Sequence, residues 1–318
     1  MHTVLAQPRG FCAGVSRAID IVDRVLQMHG APVYVYHEIV HNGHVVGDLA
    51  SRGAVFVDDI AAIPQGAVAV FSAHGVSTAV VEAAKERGLH IYDATCPLVA
   101  KVHVQARKYS KQGHAIVIVG HRGHEEVEGT MGSVPGEVYV VSTLDDIAAL
   151  PLAPNDAIAY VTQTTLSLDD ARHLIDALKA RFPAIEGPEL DDICYATQNR
   201  QVAVRARAHE VDVVLVIGAV NSSNSNRLRE VSMQEGVPSY LIADASEIDV
   251  AWLAGATRVG ITAGASTPEV LVGEVRERLR ALGSTSVRQL AGPRETVRFR
   301  LPAAINSAAA AAPVPATA

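Results

Sequence analysis

The chain has 318 residues, 49% of them hydrophobic and only 4% aromatic, and carries a formal net charge of −7. That acidity, with neither basic runs nor interleaved aromatics, speaks against nucleic acid or an anionic membrane as a partner. No apolar run approaches the roughly 18 residues of a membrane span, and Met1 to Phe11 lacks the basic lead and apolar stretch of a secretory leader, so a cytoplasmic α/β enzyme is expected.

The predicted elements repeat. An extended apolar segment ends at Cys12, and Gly14-Val15-Ser16 opens a helical run to Met28. A strand at Val33 to Tyr36 empties into the polar loop His41-Asn42; another, Val68 to Phe71, ends at His74, and Ser77 reads as the next helix cap. The order returns after Cys96, with Pro97 at a helix-opening position and a run to Lys111. A strand at Ala115 to Val119 leads to the loop His121 to Glu126, and a strand at Ile158 to Val161 ends at Thr164, before the cap Ser167. It returns a third time after Cys194: a run from Tyr195 to His209, a strand at Val211 to Ile217, the loop Asn221-Ser222-Ser223-Asn224, and a strand at Val259 to Ile261 ending at Ser266. Ser266-Thr267-Pro268-Glu269 reads as a capping box that puts Ser266 at a helix N-terminus.

A period of roughly 85 to 95 residues is too long for a solenoid and suits small α/β domains. The expected units are 13–96, 97–193, and 194–282 joined by 1–12, followed by a C-terminal segment at 283–301. The Ala/Pro-rich stretch 302–318 reads as a disordered tail. Three such domains about a pseudo-threefold axis would bring the three cysteines to one point.

Three cysteines cannot pair off into a disulfide framework and suit a reducing compartment. A helix N-terminus lowers a thiol pKa, so each is expected to be poised as a thiolate. Soft thiolates select zinc, copper(I) or iron–sulfur clusters, and three protein ligands leave one position open, as catalytic sites do. There is no CxxC pair, so the residues alone leave open a zinc hydrolase with Glu126 as general base and a non-catalytic metal-sensing module. The loops at His41, His74, His124, Ser222 to Asn224 and Ser266 precede helix starts, where backbone N–H groups and polar side chains can hold phosphate oxygens without a lysine cluster. No GxxxxGK[ST] or GxGxxG follows a strand, which disfavours an ordinary nucleotide cradle or a built-in nicotinamide site. His103, His114, His173 and His209 lie in or beside helical runs and read as structural.

Motifs then recur along nearly the whole chain. They are Pro8-Arg9-Gly10-Phe11-Cys12-Ala13-Gly14-Val15, His37 to Asn42, Phe71 to Val76, Asp93-Ala94-Thr95-Cys96-Pro97, and His121 to Thr130. Thr162 to Thr165, Asp191 to Thr197, Asn221 to Leu228 and Thr262 to Ser266 complete the series. In this order and spacing the chain resembles the LytB/IspH family, the 4-hydroxy-3-methylbut-2-enyl diphosphate reductases of isoprenoid biosynthesis. The resemblance implies three small α/β domains in a pseudo-threefold trefoil around a central iron–sulfur cluster. It implies one 4Fe–4S cluster on Cys12, Cys96 and Cys194, with one iron open to the hydroxyl oxygen of an allylic diphosphate. His41, His74, His124, Ser222, Ser223, Asn224 and Ser266 would bind that substrate; Glu126 would supply protons, and Thr164 would position or relay one. An external electron donor such as ferredoxin or flavodoxin with its reductase is implied as well. Ala219-Val220, less polar than in many relatives, and the tail after about Leu301 depart from the pattern without touching an assigned role.

Overall fold

The computed structural model describes residues 1–305 apart from 189, 191 and 207. After β1 (His2–Leu5) and α1 (Ala13–His29), a first sheet is built from β2 (Val33–Tyr36), α2 (Gly43–Ser51), β3 (Ala54–Val57), β4 (Val68–Phe71), α3 (Thr78–Glu86) and β5 (His90–Asp93), in the order β3-β2-β4-β5. A second follows from α4 (Pro97–Lys111), β6 (Ala115–Val119), α5 (Glu125–Met131), β7 (Val138–Val141), α6 (Leu144–Ala149) and β8 (Ile158–Thr162), in the order β7-β6-β8. Helix α7 (Leu168–Arg181) packs back on this second sheet, and the third unit comprises α8 (Tyr195–Arg205), β9 (Val213–Ile217), α9 (Ser223–Gln234), β10 (Ser239–Ile242), β11 (Arg258–Ala263), α10 (Glu269–Ala281) and β12 (Ser286–Gln289). Its order is β10-β9-β11-β1-β12, so both ends of the chain complete it.

All the strand pairings within these sheets are parallel. Parallel strands need helical crossovers and are buried on both faces, which explains why β8 and β9 read as continuous apolar runs. In the second sheet Val117, Val119 and Tyr160 pack with Leu174 and Leu178 of α7, while Ile116, Ile118 and Val161 pack with Val102 and Ala106 of α4. In α1, Ala18, Ile21, Val22 and Val25 recur at helical spacing and are wholly buried against β2. Each of the larger side chains contributes roughly 2 kcal/mol through its removal from water.

The main departures from expectation are local. The strands β3, β7 and β10, four residues each, were not expected, and β9 begins at Val213 because Asp212 turns aside to accept hydrogen bonds from Thr257 and Arg258. The helix after Cys194 ends at Arg205. Ser77 and Ser167 do cap α3 and α7, but Ser266 caps no helix. Pro268 stands at the N-cap of α10 with no side-chain cap; Ser266 instead donates to the His41 carbonyl at 3.0 Å, and Thr267 to that of Ile217 at 2.9 Å. Pro302 to Ile305 do not trail off, since Ile305 is buried in the core behind α1. The rest of the expected tail, 306–318, and Asp191 lie outside the described residues. Among the described residues no helix is long and apolar enough to cross a membrane.

Candidate active site

Each sheet presents two loops at the carboxyl ends of neighbouring strands, β2 and β4, β6 and β8, β9 and β11. All six loops line one cleft of about 690 Å³, the usual location of ligand sites in parallel α/β sheets. Every site side chain named from the sequence lines this cleft: Cys12, Cys96, Cys194, His41, His74, His124, Glu126, Thr164, Ser222, Ser223, Asn224 and Ser266.

The thiols form one end. Cys12, Cys96 and Cys194 are the N-caps of α1, α4 and α8. The Val15 amide donates to the Cys12 sulfur at 3.5 Å, and the Thr197 amide to that of Cys194 at 3.3 Å, with the Thr197 hydroxyl 3.1 Å from the same sulfur. Gly14 keeps the space between them open. A Cβ there would lie 2.7 Å from the Cys96 sulfur and 3.8 Å from that of Cys12. The expected thiolate poise is not found at Cys96 or Cys194. Burial pushes the Cys96 thiol up to about 12 and Cys194 to about 11; the mutual repulsion of the thiols adds to this and outweighs the capping amides. Ionisation of these thiols therefore requires a cationic group between them.

The donor set decides what such a group can be. A single tetrahedral zinc needs sulfurs roughly 3.8 Å apart, since each lies about 2.3 Å from the metal. Among the described residues the three donor atoms that come within 4.8 Å of one another belong to His41, His74 and Glu125, and the cysteine sulfurs do not make such a set. Three soft thiolates that do not all come within that spacing of one another fit a multi-iron cluster.

The buried carboxyl of the cleft is Glu126, 3% exposed, at the second position of α5. Thr164 clamps it: the Thr164 amide donates to Oε1 at 2.6 Å and the hydroxyl to Oε2 at 3.0 Å. Burial raises the Glu126 carboxyl to about 7; the hydrogen bonds from Thr164 and the charge of His74 pull the other way, and Asp192 adds a small upward push.

Three imidazoles sit beside it. His41 and His74 stack with centroids 4.1 Å apart, and His124 meets His41 edge-on at 5.6 Å. His124 caps α5 by accepting the Glu126 amide at Nδ1, 3.1 Å away. Its Nε2 is therefore the atom that carries a proton in the neutral ring. Burial, then the neighbouring rings of His74 and His41, lowers His124 to about 3 and lowers His41 as well. Across the cleft Ser222 caps α9. Asn224 accepts the Ala265 amide at Oδ1, 2.8 Å, and its buried Nδ2 has no hydrogen-bond partner among the described residues.

A LytB protein family model matches residues 3–280. The chain belongs to the LytB family. It is 57% identical over 310 residues to a protein of Burkholderia pseudomallei named 4-hydroxy-3-methylbut-2-enyl diphosphate reductase, covering 98% of this chain and 99% of that one. It is 58% identical over 305 residues to the Bordetella pertussis protein of the same name, covering 96% and 94%. A solved structure of the E-1-hydroxy-2-methyl-but-2-enyl-4-diphosphate reductase from Plasmodium falciparum superimposes with a TM-score of 0.93 at 36% identity over 98% of both chains.

Within this LytB site, sequence reasoning missed several supporting residues. Thr197 touches the Cys194 sulfur, and its position three residues after an N-cap was the signal that could have found it. Glu38 holds Nδ1 of His41 at 3.2 Å, and Glu125 holds Nδ1 of His74 at 2.6 Å. Burial favours the neutral form of the Glu125 carboxyl, but the hydrogen bond from His74 and the charges of His74, His41 and His37 outweigh it, and its pKa is lowered. Gln163 links the two halves of the rim, accepting the His121 amide at 3.0 Å and donating to the Ser223 hydroxyl at 3.4 Å.

Proposed function

We propose that this protein reductively dehydroxylates (E)-4-hydroxy-3-methylbut-2-enyl diphosphate to isopentenyl and dimethylallyl diphosphate, with Cys12, Cys96 and Cys194 holding one 4Fe–4S cluster. The relatives bear the name of this reductase, and a further structural neighbour, 33% identical with a TM-score of 0.63 over 88% of this chain, is described as the terminal enzyme of the non-mevalonate pathway. The observation that carries the reading is the convergence of three helix-capping thiols and one buried, protonatable carboxyl on a single cleft that also holds the Nδ2 donor of Asn224, unpartnered among the described residues.

The balance of the reaction sets what is needed: the allylic alcohol takes up two electrons and two protons, the carbon–oxygen bond breaks, and water leaves. The cluster, when bound, supplies a Lewis acid for the hydroxyl oxygen and a path for the electrons. The chain's own residues do the remainder. Nδ2 of Asn224, Nε2 of His124, the ring of His41 and the Ser222, Ser223 and Ser266 hydroxyls would bind the diphosphate. An anion among these rings also favours their protonation, opposing the effect of burial. Val15, Val40, Leu98 and Val99 line the cleft with apolar surface suited to a five-carbon chain.

Glu126 holds the proton. Near neutral pH its carboxyl is protonated in a substantial fraction of molecules, and Thr164 fixes its orientation, so the acid needs no reorganisation to assist loss of water. The Thr164 hydroxyl, which donates to Glu126 Oε2, would position or relay that proton. Electrons come from an external carrier such as a reduced ferredoxin or flavodoxin with its reductase, and a cytoplasmic location would keep the thiols reduced.

Iron, zinc and acid-labile sulfide analysis of anaerobically purified protein, with its visible spectrum, tests the cofactor assignment. Roughly four iron and four sulfide per chain are expected. Zinc without sulfide would favour the hydrolase reading.

A further inference from the structure

After β12 the chain turns back along the thiol end of the molecule as an extended strap. Arg200, wholly buried in α8, donates to Glu295 from Nη1 at 3.0 Å and from Nη2 at 3.1 Å, and Asn199 adds a third hydrogen bond at 3.2 Å. The same guanidinium donates to the carbonyls of Gly10 and Ala196, at 2.6 and 2.9 Å. Further along, Arg17 donates from Nε to the Arg300 carbonyl at 2.9 Å and from Nη1 to that of Thr95 at 3.0 Å. Two arginines thus tie the strap to positions within two residues of Cys12, Cys194 and Cys96. No strap residue lines the substrate cleft.

The outer face of the strap is basic. Arg294, Arg298 and Arg300 are exposed around Val297, itself 42% exposed, and their side chains make no ion pair among the described residues. The one acid between them, Glu295, is spent on Arg200. The charge of Arg17 is partly offset by Asp93 and is not counted in the patch. Three uncompensated arginines beside the thiols stand out on a chain whose net charge is −7.

We infer that this strap, Arg294 to Arg300, is the docking surface for a small acidic one-electron carrier protein; the inference rests on the reductase reading above. Electron tunnelling falls off exponentially with distance, so a carrier must dock where the backbone lies beside the thiols. Docking on the strap leaves the cleft free for substrate. Charge complementarity of this kind sets encounter rate and orientation and weakens with salt.

The test uses the full-length holoenzyme and two electron sources, reduced methyl viologen and a plant-type ferredoxin kept reduced by its reductase. The triple variant Arg294→Glu, Arg298→Glu, Arg300→Glu should turn over normally with viologen, while its KM for ferredoxin rises about tenfold or more and loses its salt dependence. The visible spectrum checks that the cluster is retained, and the corresponding triple Arg→Lys variant should keep the wild-type KM. An unchanged ferredoxin KM and salt profile in the charge-reversed protein would overturn the docking surface. Absence of viologen-driven turnover in the wild type would instead sink the reductase reading.

Discussion

Thr164 grips the Glu126 carboxyl with both of its donors, the backbone amide at 2.6 Å and the hydroxyl at 3.0 Å, so the acid of one loop is oriented by the neighbouring loop of the same sheet. That clamp separates the role of Glu126 as a proton source from any role of its charge. Glu126→Gln preserves shape but cannot donate a carboxylic proton. It should bind substrate and stall before carbon–oxygen cleavage, with a defect of about 10²- to 10⁴-fold; Glu126→Asp should recover part of the rate. Anaerobic single turnover with prereduced enzyme measures this, and normal product formation by the Gln variant would transfer the role to Thr164 or water.

The same carboxyl ties stability to pH. Its folded pKa, about 7, lies above the ordinary value of 4.5, so the folded state holds the extra proton between these values. The contribution is fully present below about pH 4.5 and lost as pH rises through 7. Glu126→Gln, which needs no proton, should gain stability over the parent by up to about 3 kcal/mol above pH 8 and show little difference near pH 4.5. Denaturant unfolding at the two pH values reads this out; an equal difference at both would mean that the carboxyl is not strained by burial.

Gly14 offers a test of the thiol end that leaves every ligand in place. Its backbone φ is not positive, and alanine is favoured over glycine within a helix by about 1 kcal/mol, so Gly14→Ala should leave the fold intact. Its Cβ would nevertheless intrude at 2.7 Å from the Cys96 sulfur. Iron and sulfide content should drop sharply at unchanged far-ultraviolet circular dichroism. Full cluster loading would show that the space beside Gly14 is not the cofactor's.

Asn224 is the cleft donor best disposed to a ligand, since its Oδ1 is engaged by Ala265 while Nδ2 has no hydrogen-bond partner among the described residues. Asn224→Ala should weaken substrate binding by about 1.5 to 3 kcal/mol, roughly tenfold to over a hundredfold, with the cluster spectrum unchanged. Anaerobic titration calorimetry with substrate measures it, and wild-type affinity would remove Asn224 from the anion site.

How far the sequence foretold all this depended on whether the signal was local. The cysteines were legible because each sits at a switch from extended to helical pattern, and all three are N-caps. The strands β3, β7 and β10 were not, because four residues of mixed exposure carry too short an alternation to separate from a loop. Ser266-Thr267-Pro268-Glu269 fits a capping box, yet the His41 and Ile217 carbonyls, brought in by the first-sheet loop and by the third sheet respectively, take both hydroxyls. The thiolate poise of Cys96 and Cys194 also failed for a tertiary reason: their burial outweighs the helix N-termini, and burial is not written in any one segment. Glu125 and Glu38 carry no local signal of their roles, and became visible as partners of His74 and His41 only once the loops had converged.

The most direct test of the central claim is product analysis after anaerobic turnover of (E)-4-hydroxy-3-methylbut-2-enyl diphosphate by cluster-loaded enzyme with a measured excess of reduced methyl viologen. The account predicts isopentenyl and dimethylallyl diphosphate in place of the alcohol, with two viologen radicals oxidised for each molecule converted. Unchanged substrate with fully loaded enzyme, or release of phosphate or diphosphate without viologen oxidation, would contradict it.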